Sequence, residues 1–70
     1  MRTVFHIGQR AGIWRVLRDG RFFGDYREKN WAIDGAEEKG RALMLTGDSV
    51  QILIAGANDA IVSDHMLKPL

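Results

Sequence analysis

A chain of seventy residues makes one domain, residues 1–70, and buries only about 60% of its unfolded surface, so its core lies near the lower limit for independent folding. The absence of cysteine excludes disulfide staples and thiolate metal sites, and His6 and His65 alone are too few for a structural zinc centre. The net charge of +1 hides an asymmetry, with seven basic and three acidic residues up to Lys29 against three and six from Asn30 onward, a hint of a nucleic-acid or anionic partner, although arginines flanking strands also serve as edge protection and for solubility.

Thr3 to Ile7 alternates, with Phe5 and Ile7 on one side and Val4 and His6 on the other, which predicts a first strand broken by Gly8 to Gly12. Ile13 to Arg18 is a second strand. Asp19-Gly20 joins it to a third, Arg21 to Tyr26, because type I′ hairpin turns need positive φ at both central positions. Trp14, Val16, Phe22 and Tyr26 are expected to share a face, and Gly24 marks a bulge or a close backbone approach.

Glu28 to Leu45 is long and periodic enough for a full helix. Ala32, Ile33, Ala36, Gly40 and Leu43 fall on one side and Asp34, Glu37, Glu38 and Arg41 on the other. The apolar side is small, so the helix is expected to lie close to a sheet, although Gly35 and Gly40 each lower helix propensity by roughly 1 kcal/mol. Asp25 is the nearest good capping residue, and Glu28 places a carboxylate at the first turn. Thr46-Gly47-Asp48 closes the helix, with Gly47 in the left-handed position. Val50 to Ile54 is a β-branched strand, Gly56 to Asp59 a turn, Ala60 to Met66 a last strand, and Lys68 to Leu70 a frayed tail. The resulting fold class is α+β, a small antiparallel sheet in the order βββαββ along the chain with the helix on one face.

The side facing the helix is expected to carry Phe5, Ile7, Trp14, Val16, Phe22, Val50, Ile52, Ile54 and Ile61. The same alternation places Val4, Ile13, Leu17, Phe23, Leu53 and Val62 on the opposite side, interrupted by His6, Arg15, Asp25 and Gln51. An uncovered apolar face wants a partner, and Ile13, Leu17, Phe23 and Leu53 are the residues expected to form it. A slipped register or a strong twist would instead bring half of them to the edge of the core.

Residues that could carry chemistry are sparse. Asp64 is adjacent to His65 on a strand, so the two point to opposite faces and cannot act as an oriented acid-base pair; Ser49 and Ser63 lack a nucleophile-elbow context. Gly8-Gln9-Arg10-Ala11-Gly12 opens no helix and lacks the GK[ST] of a phosphate loop, so a plain strand connection is expected. Asp34, Glu37 and Glu38 read as solvated helix surface, Trp14 as core and Trp31 as packing at the sheet margin. No enzyme activity, cofactor, metal or small-molecule substrate is expected.

The segments F-H-I, G-I-W-R-V (Gly12 to Val16), W-A-I-D-G-A (Trp31 to Ala36), V-Q-I-L-I and A-I-V together resemble a family of short bacterial proteins classed as a domain of unknown function. That family reads as a strand with histidine, a G-x-W-x-V strand, a Thr-initiated helix containing E-A-I-x-A-A, and a closing hairpin. This sequence differs by Glu28 at the capping position, Gly35 where alanine is usual, and Asn58-Asp59-Ala60 in place of a D-G turn. The resemblance implies the fold and no catalytic site.

Two readings follow. The first is a non-enzymatic module that forms a homodimer through the sheet face opposite the helix. The second is a nucleic-acid-binding module in which Arg10, Arg15, Arg18 and Arg21 meet phosphates or groove edges. The start MRTVFHIGQR has no apolar run of signal-peptide length and no stretch reaches the length of a membrane span, so a cytoplasmic location is expected.

Overall fold

A computed structural model describes residues 2–55 in full and the backbone of residues 61–67. The expected turn at Gly56 to Asp59, the tail from Lys68, and the side chains of Ile61, Val62, Ser63, Asp64 and His65 lie outside the described residues. The elements are β1 (Arg2–Arg10), β2 (Ile13–Arg18), β3 (Arg21–Tyr26), α1 (Lys29–Met44), β4 (Ser49–Ala55) and β5 (Ile61–Leu67). They form an α+β fold in which one five-stranded sheet, in the order β3-β2-β1-β4-β5, carries the helix on one side.

The sheet is mixed rather than antiparallel throughout, because β1 pairs with β4 in parallel while the other three pairings are antiparallel. A parallel pair needs a long crossover, and the hairpin β2-β3 followed by α1 supplies one. β1 is thereby central, flanked by β2 and β4. The expected break at Gly8 does not occur: β1 runs on to Arg10, and the turn is reduced to Ala11 and Gly12, at φ 53° and 79°. Asp19 and Gly20, at 51° and 83°, make the anticipated second turn of the same kind. Asp19 also extends the ladder, since its N–H donates to the Val4 carbonyl at 2.8 Å and its Oδ1 accepts from the Val4 N–H at 2.9 Å.

The pairing of β2 with β3 shifts between Val16, opposite Gly24, and Leu17, opposite Phe22, leaving Phe23 as the extra residue of a β-bulge. The bulge reverses the expected placement of the two phenylalanines. Phe23 lies on the helix side, its ring edge-on to the fully buried Phe5 at 5.4 Å between centroids and 79° between planes, whereas Phe22 projects from the other side and is 63% exposed.

The core consists of Phe5, Ile7, Val16, Val50, Ile52 and Ile54 from the sheet, with Ala32 and Ala36 from α1. Gly40 is also buried, so the face of α1 against the sheet is as small as its sequence indicates. Ile33, Leu43, Met44, Trp14, Phe23 and Tyr26 pack around this centre, but Trp31, expected at the sheet margin, is 55% exposed. Glu28 stands at the helix N-terminus in extended conformation, with no capping hydrogen bond from its side chain. Asp25 does not cap either, since it belongs to β3 and binds Arg15. At the other end Gly47 is left-handed (φ 92°), its N–H donating to the Met44 carbonyl at 3.0 Å, while the Asp48 N–H reaches the Leu43 carbonyl at 3.3 Å. These two bonds form a Schellman closure, which accounts for the abrupt stop.

Candidate functional site

Alternation along the strands leaves one whole face of the sheet without a covering element among the described residues. The register aligns side chains across it: His6 stands between Leu17 and Leu53, and Leu17 in turn faces Phe22. One step along, Gly8 faces Arg15, and Arg15 faces Asp25; beyond these Arg10 pairs with Ile13. Ile13, Leu17 and Leu53 therefore lie on the open face as expected, together with half-buried Val4 and Ala55, while the fourth position is taken by Phe22 in place of Phe23.

The face is concave around Gly8. A hollow of about 660 Å³ opens there, bounded by His6, Arg10, Ile13, Arg15 and Leu17. Its polar boundary is organised by Arg15, whose Nε donates to Asp25 Oδ1 at 2.9 Å and whose Nη2 donates to Oδ2 at 3.3 Å. This fork holds the Asp25 carboxyl below the usual carboxylate range, by hydrogen bond first and by charge, and raises the Arg15 guanidinium. Because the Asp25 value is depressed, the pair stabilises the folded chain above the ordinary carboxylate pKa and loses that effect as pH falls through the depressed value. Both groups are solvent-exposed, so the effect on stability is small and screened. Arg15 also lies over the Phe22 ring, 5.5 Å from its centroid, and so joins the charged and apolar parts of the face.

The four arginines named from the sequence do not form one array. Arg10 and Arg15 stand on the open face, but Arg18 pairs with Phe5 on one side and Arg21 on the other, which puts Arg18 and Arg21 on the helix side at the end of the β2-β3 hairpin. Gly8 to Arg10 are part of β1, so no separate anion-holding loop exists there. His6 borders the hollow, and no group of three or more potential metal ligands occurs among the described residues. On the helix, Glu37 pairs with Arg41 one turn later at 3.1 Å, as a solvated helix surface does.

What sequence reasoning missed at this face is the hollow and its aromatic neighbour. The signals were Gly8, in a strand that has no need of it, and Gly24, whose bulge decides which phenylalanine faces out. Among the described residues no helix is long and apolar enough to cross a membrane. In comparisons with protein families, curated proteins and solved structures, the chain matches no family model, no curated protein and no solved structure.

Proposed function

We propose that this chain is a non-enzymatic module whose open sheet face binds a second copy of itself. The observation that carries the reading is the placement of Ile13, Leu17, Phe22 and Leu53 together on the side of the sheet away from α1, with Ile13 38% and Phe22 63% exposed. Five strands about 4.8 Å apart and about six residues long at ~3.3 Å per residue give a face of roughly 24 by 20 Å. Two such faces pressed together remove on the order of 1,000 Å² from water, the lower bound for a specific interface, so a micromolar dimer is the expected strength. A two-fold pair suits the surface because each subunit offers the patch that the other needs.

Sedimentation of the parent chain from micromolar to several hundred micromolar tests this. A reversible monomer-dimer equilibrium is expected, and replacing Ile13 and Leu53 with Lys should give a folded monomer, since neither belongs to the helix-side core. A parent that stays monomeric throughout overturns the reading. Repeating the run with duplex DNA distinguishes the basic surface: a protein-DNA complex formed by a monomeric parent would make nucleic acid the partner instead.

A further inference from the structure

Five glycines of the fold have a local reason to be glycine that Gly8 lacks. Gly12, Gly20 and Gly47 have positive φ, and a Cβ on Gly24 or Gly35 would press on the Tyr26 ring. Gly8 has neither. It lies inside the central strand, two residues before its end, and a Cβ built there meets no heavy atom within 4 Å. A glycine inside a strand weakens it and forgoes side-chain packing, and one recognised use is to let another molecule approach the backbone closely. The missing side chain leaves bare backbone as part of the lining of the hollow.

The same face carries a projection to match. The bulge at Phe23 turns Phe22 outward, and the Arg15 guanidinium lies 5.5 Å from the centroid of its ring. Phe22 is aligned across Leu17 with His6, and Gly8 is two residues farther along the strand of His6. Two strand spacings across and two residues along place projection and hollow about 12 Å apart on one surface.

We infer that the dimer is built by exchange of these features, the Phe22 ring of each subunit entering the hollow over Gly8 of the other. This rests on the self-association reading and specifies its geometry. A two-fold axis passing midway between Phe22 and Gly8 makes both insertions at once, since whatever one subunit presents it also receives. The hollow suits an aromatic ring: part of its lining is bare backbone, its wall includes Ile13 and Leu17, and Arg10 offers a cation to the negative face of the ring. Aromatic residues seated in a pocket at the centre of an interface contribute most of its binding energy, which allows a small face to hold a partner.

The test is an exchange of projection and hollow. Gly8→Phe occupies the hollow from within and, since a Cβ there meets no heavy atom within 4 Å, should leave thermal unfolding at low concentration unchanged or raised. Phe22→Ala removes the projection. Each single change should weaken the dimer about tenfold or more by sedimentation, and Gly8→Phe combined with Phe22→Ala should restore the parent constant to within about threefold, since residues that contact one another are not additive. The inference is overturned if Ile13→Lys with Leu53→Lys abolishes the dimer while Gly8→Phe leaves it intact, an outcome that keeps the face and rejects the exchange. It is likewise overturned if the exchanged variant is as weak as the singles. A monomeric parent would reject the self-association reading before these variants are compared.

Discussion

Tyr26 joins two glycines that stand apart in the sequence. From the sequence, Gly35 is a cost to helix propensity and Gly24 an irregularity in a strand; in the fold they are two sides of a slot for one ring. A Cβ on Gly35 would collide with the Tyr26 Oη and lie 2.9 Å from Cζ, and one on Gly24 would lie 3.1 Å from Oη. Ala at position 35 gains roughly 1 kcal/mol of helix propensity, but relieving a contact that close in a packed site costs about 1 to 3 kcal/mol. The two effects can be separated by urea titration. Gly35→Ala should destabilise the parent by up to about 2 kcal/mol, yet stabilise a Tyr26→Ala background by about 0.5 to 1 kcal/mol, where the slot is empty. Equal effects in the two backgrounds would mean that the ring moves aside without resistance.

At the scale of elements, what the sequence made legible is whatever local chemistry determines. The Asp19-Gly20 turn, the small face of α1 and the Gly47 stop each depend on residues within a few positions, and each forms as read. The Ala11-Gly12 turn is not legible because alanine at φ 53° is unusual for an L-residue, which leaves Gly8 as the natural end of β1 in the sequence. The parallel pairing of β1 with β4 was beyond local reading, since residues nearly fifty positions apart choose it. One extra residue in β3 had the widest effect, because a shift of one reverses which side chains face the helix. Phe22 and Phe23 therefore differ sharply in an otherwise similar setting: Phe23→Ala should cost about 2 to 4 kcal/mol through the lost contact with Phe5, whereas Phe22→Ala should change monomer stability by less than about 1 kcal/mol. Comparable losses in chemical denaturation at low protein concentration would place the bulge elsewhere.

For the molecule as a whole, the sheet is one-sided. Among the described residues the largest fully buried side chains, Phe5, Ile7, Val16, Val50 and Ile52, lie between the sheet and a helix that contributes mainly alanine and glycine, so the core is thin even for a chain of this length. A second copy on the open face would supply the missing layer, and folding and association would then be linked by mass action. In the fully dimeric regime a hundredfold rise in protein concentration adds about 1.4 kcal/mol of stability per chain. For a domain of this size that corresponds to a rise of ~5 to 10 °C in Tm. Calorimetry at about 10 μM and about 1 mM should show this rise for the parent and a constant Tm for the Ile13→Lys, Leu53→Lys variant, whose helix-side core is unchanged. A parent Tm independent of concentration would mean that the thin core suffices and that association, if any, contributes nothing to the stability of the fold.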